Sequence, residues 1–144
     1  MGFKISGLNA EPFAHLFGQG EHYLQQHGAL RINVDSYHGY PDRISLRDIP
    51  ASKTAILVNH TYQPAATPYH GSHAIYVWEG CNEQGIYINK IPESIGVRLL
   101  SLRAFGEHHL MLHADICEGA AAEMLLKHFF ENPSVNYIYI HNAK

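Results

Sequence analysis

Cysteine is scarce in this chain: 144 residues contain two, Cys81 and Cys117. Their number and spacing exclude a disulfide framework, a redox pair and a cysteine-built zinc site. Two reduced thiols are expected, as in a cytosolic protein. Charge is sparse as well, with 16% charged residues against the ~25% usual in globular chains. Ten Lys and Arg against thirteen Asp and Glu leave a net charge of -3 with neutral histidines, so no basic field exists to attract nucleic acid. No apolar run approaches the ~18 residues of a membrane span, and no basic lead precedes an apolar stretch at the N-terminus. The expected location is therefore cytoplasmic, with no membrane partner. A Gly-x-Ser-x-Gly nucleophile elbow and phosphate-cradling glycine loops are also absent. No cofactor is expected.

What the chain has instead is neutral polarity. Twelve histidines and nine tyrosines accompany a 46% hydrophobic content, enough for one continuous core and a single domain over residues 1–144. The unperturbed histidine pKa of ~6.5 brings the net charge toward zero or positive in mild acid.

Hydrophobic periodicity predicts a mixture of short strands and three helices. Residues 3–7 read as an edge strand, although the first six residues also fit the loose myristoylation pattern. Glu11 and Pro12 open a short helix with Phe13, Leu16 and Phe17 at helical spacing, and residues 21–27 add a turn or two. Residues 29–34 alternate as a strand, and 36–43, with Gly39 and Pro41, form a loop. The β-branched runs 54–60 and 73–79 are expected to be neighbouring strands joined by the loop that carries Pro64 and Pro68. Pro92 starts a short helix through Ile95.

In the C-terminal third, Leu100, Leu102 and Ala104 alternate with Ser101 and Arg103, and Leu110, Leu112, Ala114 and Ile116 alternate with His109, Met111, His113 and Asp115. A hairpin that opposes Phe105 to His109 aligns the apolar sets, and a one-residue slip exchanges core for polar positions. Residues 119–131 form an amphipathic helix with the stripe Ala121, Met124, Leu125 and Phe129. Residues 135–141 return as a strand whose crossover from the hairpin favours a parallel, right-handed connection. The expected fold is α+β: a largely antiparallel sheet of five to seven strands, two or three helices mainly on one face, and a C-terminal hairpin-helix-strand unit.

Under that register one face collects Ser101, Arg103, His113, Asp115, Tyr139 and His141. A guanidinium there holds an anion and an imidazole moves protons, although a plainly solvated sheet face gives the same pattern. Histidine enrichment raises a metal reading. His109 and His113, roughly 13 Å apart on a strand at ~3.3 Å per residue, do not share an ion. His60, His70 and His73, with His141 as another third ligand, are the lesser metal candidates.

The segments Phe3 to Leu8, Pro41-Asp42-Arg43-Ile44-Ser45-Leu46, Pro68-Tyr69 with His73-Ala74-Ile75, Arg98 to Phe105, and Tyr137 to Ala143 resemble a bacterial family known as domain-of-unknown-function family 1203. The run Ser101-Leu102-Arg103-Ala104-Phe105 and the close His141-Asn142-Ala143 are the most specific. The resemblance implies a fold family and no mechanism. Many relatives carry Cys where Asp42 stands here and continue past Asn-Ala with a Gly-Cys segment, so it implies no thiol-based function for this chain.

The leading reading is a small-molecule binding domain, open to being an enzyme, that takes an anionic ligand. Arg103, Tyr69, Ser72, Asn142 and Tyr139 bind; His73 or His141 exchanges protons; Asp115 orients a histidine or pairs with Arg103. The alternative is an interaction module in which Tyr137 and Tyr139 make a homodimer or partner surface.

Overall fold

The computed structural model describes residues 2–35 and 39–144. Ser36–His38 of the expected 36–43 loop and Met1 of the myristoylation pattern lie outside the described residues. Among those described, the chain is α+β: eight strands in three sheets, with four short α-helices. The strands are divided between sheets of two, three and three rather than gathered into one. The backbone forms two compact units, one of Met1–Ile5, Gln63–Gly71 and Tyr87–Lys144, the other of Ser6–Tyr62 and Ser72–Ile86. No described helix is long and apolar enough to cross a membrane.

In the Ser6–Tyr62 and Ser72–Ile86 unit, helices α1 (Glu11–Ala14) and α2 (Glu21–Gln26) precede β2 (Ala29–Asn33). β2 pairs antiparallel with β3 (Thr54–Gln63), which also borders β4 (Gly71–Trp78). The two β-branched runs are neighbours, as their composition predicts. Phe13 on α1, Leu16 in the turn that follows it and Leu24 on α2 pack with Ile56, Val58, Ile75 and Val77 of the sheet. Burying each such side chain contributes on the order of 2 kcal/mol. The motif 41–46 folds around Asp42, whose carboxylate accepts the amides of Ile44, Ser45 and Trp78 at 3.1, 2.8 and 2.9 Å and the Ser45 hydroxyl. Gly7 and Gly85 lie so close that an added Cβ would meet Ile44 O at 2.0 Å and Ser45 O at 2.2 Å. Asp42 is 1% exposed, so its four donors hold it as a structural anchor.

In the other unit, a two-stranded ladder of β1 (Lys4–Ser6) and β5 (Ile86–Ile88) accompanies α3 (Glu93–Gly96). β5 has no counterpart in the sequence reading because its isoleucines face solvent, 57% and 62% exposed. The C-terminal segment forms β6 (Leu99–Phe105), β7 (Met111–Glu118), a 3-10 turn, α4 (Ala122–Phe130) and β8 (Tyr137–Asn142). The strand order is β7-β6-β8 with both pairs antiparallel. β7 and β8 therefore run parallel, as the crossover rule favours, with β6 between them.

The hairpin register differs from the expected one. Arg103 opposes Ala114, Leu102 opposes Asp115 and Ser101 opposes Ile116, and the register shifts between Ala104 and Phe105, so that Phe105 meets Met111. Leu112 is the extra residue of a β-bulge. His109, in the turn, has φ 61°, and Gly106 donates its amide to Leu110 O at 3.0 Å. The turn thus consumes more chain than a pairing of Phe105 with His109 allows. In consequence Leu110, Leu112 and Ile116 are exposed, while Leu100, Leu102 and Ala104 are fully buried. The helix stripe is also displaced: Ala122, Leu126 and Phe129 are buried and Met124 is 77% exposed.

Candidate functional site

Directly opposed residues of an antiparallel pair share a face, so register assigns every side chain of β6, β7 and β8. Leu100, Leu102 and Ala104 share theirs with Cys117, Asp115 and His113 of β7 and with Asn142, Ile140 and Ile138 of β8. Helix α4 lies on this side: the His113 ring stacks on Phe129, centroids 5.4 Å apart, and His113 Nε2 sits 3.1 Å from Asn132 Nδ2. The other face carries Ser101 opposite His141, Arg103 opposite Tyr139, and Phe105 opposite Tyr137. Of the six residues expected to converge, Ser101, Arg103, Tyr139 and His141 do so. His113 and Asp115 fall on the helix side, because the three-position difference in register reverses the facing of β7 relative to β6. Asp115 therefore neither pairs with Arg103 nor orients His141; its Oδ1 accepts the Ile116 amide at 2.8 Å. Asn142, opposite Leu100, is on the helix side too.

The strip on the open face is largely aromatic. Tyr137 stacks on Phe105 at 5.4 Å and 11°, Tyr139 meets Phe105 edge-on at 5.5 Å, and His141 stacks beside Tyr139 at 6.1 Å and 26°. Tyr69 adds an edge contact to Phe105 at 6.0 Å. Phe105 is fully buried; Ser101, Arg103, Tyr139 and His141 are half-buried. One supporting residue gave no signal in the sequence reading. Gln63, 1% exposed, donates Nε2–H to the Tyr137 hydroxyl at 3.0 Å, and that hydroxyl is bonded to His109 Nδ1 at 2.7 Å. Gln63 also accepts the Ala65 amide at 3.2 Å. Its place just beyond the β-branched run 54–60 was the available hint.

The remaining candidates have other surroundings. His73 is on β4, its ring stacked on Tyr62 at 5.0 Å and 28°, and Ser72 beside it is exposed. His60 packs against Phe13 at 5.8 Å, and burial pushes its pKa down. His70 is exposed, its amide donated to Thr67 O at 3.0 Å. Among the described residues no three His, Cys, Asp or Glu form a metal-holding group, so His60, His70 and His73 do not assemble as ligands. Cys81 and Cys117 are free thiols, each with its pKa raised chiefly by burial.

Chemically, the strip offers a guanidinium, two hydroxyls and an imidazole along two bonded strands. That set can hold a carboxylate or phosphate and exchange a proton with it. No curated protein and no solved structure matches the chain. The family model described as protein of unknown function (DUF1203) matches residues 39–144, a span that takes in Asp42 and every residue of the strip. The segment 3–8 precedes it. Over that span, which is most of its length, the chain belongs to the DUF1203 family.

Proposed function

We propose that the chain is a cytoplasmic protein that binds a small anionic molecule on the open face of β6 and β8. The observation that supports this is the cross-strand register, which sets Arg103 opposite Tyr139 and Ser101 opposite His141 on one half-buried face. Arg103 presents a planar fork suited to two oxygens of a carboxylate or phosphate. The Ser101 and Tyr139 hydroxyls supply further donors, and the aromatic ladder gives a flat apolar support. His141 is the group through which bound anion would gain or lose a proton, so turnover, where it occurs, runs through His141. Tyr69 borders the strip through Phe105.

The tyrosine-faced homodimer is less well supported. Tyr137 is engaged internally, by Gln63, His109 and Phe105, which leaves Tyr139 alone to make a partner surface. The cytoplasmic assignment rests on the two free thiols.

The test is thermal denaturation against a panel of carboxylates and phosphates. A ligand at about 100 times its Kd stabilises by ~2.7 kcal/mol, so a hit raises the midpoint by several degrees. Arg103→Ala abolishes that rise, while Asp115→Asn, on the opposite face, keeps it. A wild-type protein that responds to no anion in the panel, or an Arg103→Ala variant that responds undiminished, sinks the reading.

A further inference from the structure

β7 is a sheet margin exposed along its length. Residues 112–116 are all exposed, Leu112 by 41% and Ile116 by 61%. Among the described residues it is bonded on one side, to β6. Lysine, proline and extreme shortness are among the means of blunting such a margin, and Met111–Glu118 has eight residues and neither residue type, its one bulge lying at the turn end of the strand. The Ile116 amide points away from β6, toward Asp115 Oδ1 at 2.8 Å. Alternate residues of a strand direct their amides and carbonyls to the same side. Ala114, two positions away and beyond the bulge, therefore presents its backbone outward as well.

The order of side chains around Ala114 is self-complementary. When a strand pairs antiparallel with its own copy about a two-fold axis, residues equidistant from the axis oppose one another. An axis through Ala114 sets Leu112 against the partner's Ile116 and His113 against the partner's Asp115. An axis through Asp115 sets two carboxylates face to face, which is destabilising. One through His113 sets two imidazoles together and leaves each Asp115 against Met111. Axes displaced by one half-step oppose an outward-facing residue to an inward-facing one and break the ladder.

We propose that β7 of one copy pairs antiparallel with β7 of a second copy about an axis through Ala114, which joins two three-stranded sheets into one of six. The Asp115 carboxylate leaves the Ile116 amide, which then bonds to the partner backbone, and turns to the partner's His113. The inference is independent of the anion strip, since it uses the outer edge of β7 and not the face of β6 and β8.

The experiment uses the full chain. Light scattering should give twice the chain mass at high concentration, falling toward one chain mass on dilution. Leu112→Lys should give one chain mass throughout, with unchanged circular dichroism. In a background carrying Cys81→Ser and Cys117→Ser, A114C should form a disulfide-linked dimer under mild oxidation. Directly opposed hydrogen-bonded residues have Cα atoms ~5.5 Å apart, within the disulfide range. L112C alone should form no disulfide-linked dimer, and an equimolar mixture of L112C with I116C should cross-link. A wild-type chain that stays monomeric into the millimolar range, a Leu112→Lys variant that stays dimeric, or A114C that cross-links no faster than L112C overturns the proposal.

Discussion

Glu79, like Asp42, is a carboxylate that accepts four hydrogen bonds. It accepts Arg31 Nε and Nη2 at 2.9 and 2.8 Å, the Gly18 amide at 2.8 Å and the Thr54 hydroxyl at 2.7 Å. The Arg31 hydrogen bonds, first, hold its carboxyl at about 2 against the opposing effect of burial, with Gly18 and Thr54 assisting. The same contacts push Arg31 upward. A carboxyl whose pKa is lower folded than unfolded stabilises fully above the unfolded value and loses that stabilisation as pH falls through the folded one. Urea midpoints of the wild type should therefore decline as pH drops from the ordinary carboxyl value of 4.5 to about 2. Glu79→Gln should cost roughly 2–3 kcal/mol at neutral pH, and the difference should vanish at the acid end. His60 acts in the same direction at higher pH, since burial lowers its pKa and its neutral form is the one that folds best. Asp42→Ala leaves the amides of Ile44, Ser45 and Trp78 without their acceptor, so it should cost at least ~3 kcal/mol by chemical denaturation.

At the scale of elements, α4 gives the sharpest contrast between pattern and packing. Leu126→Ala should cost ~2–4 kcal/mol, because Leu126 is 3% exposed and its loss leaves a cavity. Met124→Ala should change the urea midpoint by no more than ~0.5 kcal/mol equivalent. The sequence reading places Met124 in the apolar stripe and omits Leu126. Both are apolar, and a nine-residue helix admits two stripes one residue apart that only its tertiary neighbours separate. The strands show what was legible and why the rest was not. Alternation identified β6, β7 and β8 and the two faces of each, since a period of two is local. It did not fix which face of β7 joins which face of β6, because that depends on the turn and on the bulge at Leu112. Ser101, Arg103, Tyr139 and His141 were gathered correctly because β6 and β8 pair without interruption. Asp115 and His113 were misplaced because β6 and β7 do not.

For the whole molecule, twelve histidines against a net charge of -3 make the overall charge unusually responsive to mild acid. Electrophoretic mobility should cross zero near pH 6.4 and be clearly positive by about pH 5, where unperturbed histidines are protonated. Solubility should be lowest close to the crossing point, where mutual repulsion between molecules is weakest. The matched family span, 39–144, starts after β2 and contains both the Asp42 anchor and the whole β7-β6-β8 sheet. Within that sheet, chain length is a separable property. The surplus residue sits beside the turn, so shortening or lengthening the chain between Gly106 and Leu112 adjusts the turn and spares the alignment of Arg103 with Tyr139. A single residue inserted after Asp115 would rotate the remainder of its strand by half a turn and put Ile116 where Cys117 stood. Tolerance to insertion should thus drop sharply within a few positions along one strand.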